Sequence, residues 1–164
     1  MHILTAVPYL LLAPLQLWRP FRERHFRVHR RIGRIVVPLA AVGTVAAICF
    51  GLLYPVGGLA ESMASLVFGS WFVACLGGAW VAIRAGDAIL HRRWMIRAFV
   101  TGLAVGIIRI WVGAFTAFGL FDWAGRFGLG FWLAFLAHVA VGEWWLRTNP
   151  DPAAANDPRG SQPR

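Results

Sequence analysis

Charge-free, mostly apolar stretches run from Met1 to Trp18, Ile35 to Ala60, Ser62 to Ile83 and Phe127 to Gly142. A further stretch, Ala98 to Phe121, is interrupted only by Arg109. A helix needs about 20 apolar residues, with a range of roughly 17–25, to cross the hydrocarbon core of a bilayer. The pattern therefore predicts five transmembrane helices, at about 3–18, 32–53, 64–83, 90–118 and 127–146. The first and last lie nearest the lower limit. Between them fall the charged loop Arg19 to Arg31, the turn-rich Tyr54-Pro55-Val56-Gly57-Gly58, Arg84-Ala85-Gly86, and Asp122 to Arg126. Pro8 and Pro14 are expected to kink the first helix and Pro20 to stop it, because proline lacks a backbone donor. Pro38 suggests that the regular second helix begins nearer Gly33 than His29. Beyond the last helix, Pro150 to Arg164 shows no apolar periodicity. The organisation expected is a helical bundle over 1–148 and a disordered cytoplasmic tail over 149–164.

Composition agrees with this pattern. The chain is 59% hydrophobic and only 14% charged, with a mean hydropathy of +0.62, too apolar for an ordinary soluble domain. Its net charge of +9 does not signal a nucleic-acid partner, since that requires a basic face on a soluble fold. Here the arginines lie between apolar helices. Seven fall in Arg19 to Arg34, four in Arg84 to Arg97 and three in Arg147 to Arg164. The positive-inside rule makes these groups cytoplasmic, with Met1 outside and Arg164 inside, and suits contact with anionic headgroups. The expected class is an all-α, polytopic, multi-pass membrane protein. Cys49 and Cys75 lie within predicted spans and read as packing residues. The start lacks the basic leader of a secretory signal and reads as a retained helix. Trp18, Trp94, Trp123, Trp144 and Trp145 fall near span ends, where indole rings anchor at the interface.

At 3.6 residues per turn, one stripe of the fourth helix collects His91, Met95, Ala98, Gly102, Gly106, Arg109, Gly113 and Thr116. On the second, the stripe from His29 collects Gly33, Val36, Ala40, Gly43, Ala47 and Gly51. Both are small or polar, and small residues such as Gly102 and Gly106 let membrane helices approach closely. Both stripes are therefore expected to face inward. The segments His29-Arg30-Arg31 and His91-Arg92-Arg93 lie 62 residues apart and suggest a crude repeat of span, cytoplasmic motif, span.

His29 and His91 share one membrane face at the start of these stripes. Neutral imidazoles there are suited to metal ligation, and two of them on facing helices form a candidate axial pair for haem, with arginines on its propionates. The plain alternative is that both are interfacial residues pairing with Asp87 or lipid phosphate. Asp87 lies four residues before His91 and is placed to orient the ring, cap the helix or neutralise arginines. Arg109, about 18 Å along the helix from Arg97, should face the interior and find a partner, yet no carboxylate lies at its depth. Glu143 is more simply paired with Arg147 at i+4. His138 reads as a packing residue or, less simply, a further ligand. No hydrolytic triad, phosphate-binding loop or carboxylate cluster is present.

The set His29-Arg30-Arg31-Ile32-Gly33-Arg34, Asp87, His91-Arg92-Arg93-Trp94-Met95-Ile96-Arg97 and Arg109 resembles the bacterial family of membrane proteins called domain of unknown function 2306. The likeness covers most of residues 1–147 and departs at the start, where the first span is brief. It implies a multi-span inner-membrane helical protein and carries over no catalytic residue. A weaker likeness is to haem-carrying bundles such as haem A synthases and b561-type cytochromes. Together these point to haem b near the cytoplasmic side, with His29 and His91 as metal ligands and Arg34, Arg93, Arg97, Arg109 and His138 as further cofactor contacts. Electron transfer with a quinone or another redox partner would follow. The competing reading is a non-enzymatic accessory subunit or a lipid- or small-molecule-binding protein. A transporter, motivated by Arg109 and the repeat, is third.

Overall fold

The computed structural model describes residues 11–150. All regular structure among these residues is helical. Residues 11–17 form a helical segment, followed by the short α1 (Arg19–Arg24) and four long helices: α2 (Phe26–Leu53), α3 (Gly58–Arg84), α4 (Ala88–Ala117) and α5 (Trp123–Thr148). Each long helix is long and apolar enough to cross a membrane, so the chain is an integral membrane helical bundle. Large apolar side chains such as Ile35, Val42, Val81 and Ile110 project outward with about two thirds of their surface exposed, as contact with lipid tails requires. Of the first expected span, 3–18, residues 3–10 lie outside the described residues and 11–17 are the helical segment; of the expected tail, only residues 149 and 150 are described.

The helices start earlier than the apolar pattern suggests. Arg19 to Arg31 is not a loop: Pro20 occupies the first turn of α1, where a missing donor costs nothing, and α2 begins at Phe26. Nor does Pro38 delay α2, which continues through it. Pro38 lies on an exposed side of the helix, so its ring does not intrude on the packed seam.

The charged hinge between α3 and α4 is very short. Gly86 has φ +81°, the left-handed conformation that glycine adopts without a Cβ clash. Its N–H donates to the carbonyl of Ile83, and that of Asp87 to the carbonyl of Ala82, which is the Schellman closure of a helix end. Asp87 then opens α4, its Oδ1 accepting from the N–H of Leu90 at 2.8 Å. Of the roles open to Asp87, the structure therefore shows the cap. A similar device joins α4 to α5: Gly119 has φ +64°, and Asp122 Oδ1 accepts from the N–H of Gly125 at 2.9 Å.

α3 is the central element, packing on α2, α4 and α5, while α4 and α5 pack on each other. α2 rests chiefly on α3. The interior is divided into two cores. At the arginine-rich end Ala13, Val36, Ala40, Phe72, Cys75, Leu76 and Ala98 cluster. Toward the other end Ala64, Phe68, Ala104, Ile108, Ala134 and Phe135 do so, with the Phe68 and Phe135 rings stacked at 4.7 Å.

This division separates the fates of the two small-residue stripes. On α2 the expected stripe is the packed one, with Val36, Ala40, Gly43 and Gly51 buried. On α4 it is inward only as far as Ala98 and the half-buried Gly102; Gly106, Arg109, Gly113 and Thr116 are exposed. The buried edge of α4 runs instead through Ala98, Thr101, Ala104 and Ile108, because past Ala98 the neighbours are α3 and α5 and no described helix covers the other side. Nothing lies within 4 Å of a Cβ built on Gly106 or Gly113, so these glycines do not mark a close approach within the chain. Close approaches occur elsewhere: a Cβ on Gly142 would meet Val100 at 2.6 Å, and one on Gly128 would meet Ala60 at 2.8 Å.

Candidate ligand cavity at the arginine-rich end

Because α2 and α4 lie on different sides of α3, their arginine-rich ends leave space between them. The space is a cavity of about 1010 Å³, at the upper end of the range of small-molecule sites. His29 from α2 and His91 from α4 both line it. The repeat is thus spatial as well as sequential, since both copies of the His-Arg-Arg segment begin at this cavity.

His91 is held by the carbonyl of Ala79 on α3, 2.8 Å from its Nδ1. A ring that donates from Nδ1 to a backbone carbonyl keeps a lone pair on Nε2, the arrangement common to metal-bound histidines. His29 is half-buried, its ring roughly parallel to that of Phe26 with centroids 6.4 Å apart. Its buried Nδ1 has no hydrogen-bond partner among the described residues. Gln16, 8% exposed, lines the same cavity, and its buried Nε2 is likewise unpartnered. Buried polar groups are almost always paired, so these two atoms on one cavity wall mark places where a bonding partner is called for.

Around these groups the wall is amphipathic. Arg22, Arg30, Arg34, Arg84 and Arg92 contribute to it, as do Val36, Leu76, Met95 and Phe99. The guanidinium of Arg30 lies 5.7 Å from the Phe26 ring centroid, and that of Arg92 lies 5.4 Å from the Trp145 ring centroid. Such a wall suits a molecule with an apolar body and acidic groups. Among the described residues no three His, Cys, Asp or Glu side chains gather as a metal cage, so an ion held here would need other ligands besides the two imidazoles.

The membrane character, the shared end of the two motifs and the matched span of the chain converge on one family. The chain belongs to the predicted membrane protein family DUF2306. The family model matches residues 1–146, which include every residue of the cavity wall. No curated protein and no solved structure matches the chain.

Of the residues expected at a cofactor, this DUF2306 protein brings His29, His91 and Arg34 to the cavity; Arg93, Arg97, Arg109 and His138 do not line it. Arg97 points to α5, where Nε and Nη2 donate to the two carboxylate oxygens of Glu143 at 2.5 and 3.0 Å. Trp94 lies beneath its guanidinium at 5.0 Å. The partner of Glu143 is therefore Arg97 across the helix interface, not Arg147 one turn away on α5. A bidentate pair between packed helices outweighs a solvent-facing i+4 contact. His138 Nδ1 contacts the carbonyl of Ala134 at 2.8 Å, the contact of a packing residue. Arg109 faces outward and, among the described residues, makes no hydrogen bond or ion pair.

Gln16, Arg22, Arg84 and the Ala79 carbonyl were not legible as site groups. Gln16 carried a signal: it is a single amide near the end of an otherwise apolar run. A backbone carbonyl twelve residues from the histidine it holds carries none. Of the expected interfacial tryptophans, Trp18, Trp123 and Trp144 are exposed as anchors should be. Trp94 and Trp145 instead lie against arginines inside the arginine-rich end. Cys75 is buried as expected, whereas Cys49 is exposed on the outer surface of α2.

Proposed function

We propose that the protein receives an amphipathic ligand with acidic groups into this cavity at the cytoplasmic side of a bacterial inner membrane. Within that class the best candidate is haem b, whose iron His29 and His91 would hold. The observation that carries the reading is that the two imidazoles share one arginine-rimmed, partly apolar cavity, one with its Nδ1 tied to a carbonyl. Arg34 and its neighbours on the wall would hold propionates by charge-assisted hydrogen bonds. Valine, leucine and phenylalanine side chains would contact the ring. Bound haem supplies reversible one-electron chemistry, and a quinone or another membrane redox partner would exchange that electron.

A second reading is favoured by Arg22, Arg30, Arg34 and Arg84, which outnumber the two carboxylates of a haem even with Glu23 on the same wall. In it the cavity holds the phosphate of a lipid or another small anion, and the protein is a non-enzymatic membrane module. An absorption spectrum of the detergent-purified protein from haem-replete cells separates the two. The haem reading expects a Soret band that sharpens on reduction, is lost in His91→Ala and His29→Ala, and persists in His138→Ala. A colourless preparation would sink that reading and leave the phosphate-binding one.

A further inference from the structure

Arg109 is placed where, among the described residues, none answers its charge. At 1.5 Å per residue it lies about 16 Å beyond Ala98 and about 12 Å before Ala117, well inside a hydrocarbon core about 30 Å thick. It is exposed on the outer side of α4, with Gly106 and Gly113 beside it also exposed and open space over both glycines. A guanidinium facing lipid tails costs several kcal/mol or more, and such residues are almost always paired. Headgroup phosphates are an unfavourable partner. The nearer boundary lies toward the C-terminal end of α4, whereas helical Cα–Cβ bonds tilt toward the N-terminal end. Starting from that tilt, the side chain leads toward the middle of the bilayer.

We propose that this face of α4 docks a transmembrane helix of another polypeptide that carries an Asp or Glu at mid-depth. Charge complementarity selects this occupant. A second copy of the chain would bring another Arg109, and the carboxylates within the long helices are committed, Glu143 to Arg97 and Glu61 to the N–H of Gly57. Residues 1–10 contain no carboxylate. The bare backbone at Gly106 and Gly113 lets a partner helix come close enough for its carboxylate to reach the guanidinium.

The test uses the full-length protein, donor-labelled, in phosphatidylcholine vesicles with an acceptor-labelled synthetic leucine-alanine transmembrane peptide bearing one central Glu, and with its Gln counterpart. Energy transfer should report at least tenfold tighter association with the Glu peptide. The preference should vanish in Arg109→Leu, persist in Arg109→Lys and weaken in Gly106→Leu, whose side chain enters open space and leaves the fold intact. Equal association of the two peptides, or a preference retained in Arg109→Leu, would overturn the proposal. So would Arg109-dependent transfer between two copies of the chain, or an effect of Arg109 that requires added phosphatidylglycerol and no peptide.

Discussion

Removing the carboxylate of Glu143 should uncouple α4 from α5 at the arginine-rich end. Two donors of Arg97 meet both oxygens of Glu143, and the side chains keep 16% and 29% of their surface exposed. Exposed ion pairs contribute roughly 0.2–1 kcal/mol, whereas breaking a buried pair costs about 3–5 kcal/mol. Partial exposure places this one between those limits, and Trp94 still offers its ring face to the orphaned guanidinium. Glu143→Gln should therefore cost about 2 kcal/mol and Arg97→Leu a similar amount, while the double variant Arg97→Leu/Glu143→Gln should cost far less than their sum. The assay is reversible unfolding in mixed micelles by SDS titration, read by tryptophan fluorescence, with the four forms compared as a double-mutant cycle. A coupling energy of about 2 kcal/mol is expected from the bidentate geometry. Additive losses, within about 0.5 kcal/mol, would refute the claim that the pair joins the helices.

Other outcomes follow from the turns and the helix crossings. Gly86→Ala forces a Cβ into a left-handed conformation and should lower stability by about 1–2 kcal/mol, seen as a lower midpoint in the same titration. Asp87→Ala removes the cap on Leu90 and should cost about 1 kcal/mol; Asp87→Asn should recover most of it. Gly142→Ala drives a methyl against Val100 and should cost roughly 1–3 kcal/mol. Gly106→Ala, with nothing to meet, should be neutral or gain up to about 1 kcal/mol from helix propensity; a loss equal to that at Gly142 would show that the two crossings have been misplaced.

The spans were legible because hydrocarbon thickness sets a length that a run of apolar residues must meet. The inward stripe of α2 was legible too, since its small residues are followed on the other side of the helix by Ile35, Val42 and Val45, which contrast with them. α4 offers little such contrast. Leu103, Ile107, Ile108 and Ile110 surround it with apolar side chains, so periodicity could not distinguish the seam at Thr101, Ala104 and Ile108 from the line through Gly106 and Arg109. Small residues register that a neighbour is permitted to come close, and whether one does depends on topology. The same reason hid the Arg97–Glu143 pair, whose members are 46 residues apart, behind the local alternative at Arg147. His29 and His91 stand out in the sequence because they head two repeated segments, and what holds His91 does not, because a main-chain oxygen has no identity in a sequence.

With α2 seated on α3 and the other long helices gathered along the remaining sides of α3, the chamber has unequal walls. Displacing α2 disrupts essentially one long interface, while moving the wall that bears His91 would disturb the tightly turned α3–α4 pair and the α5 contacts behind it. Widening the chamber would therefore cost less on the His29 side than on the side that bears His91.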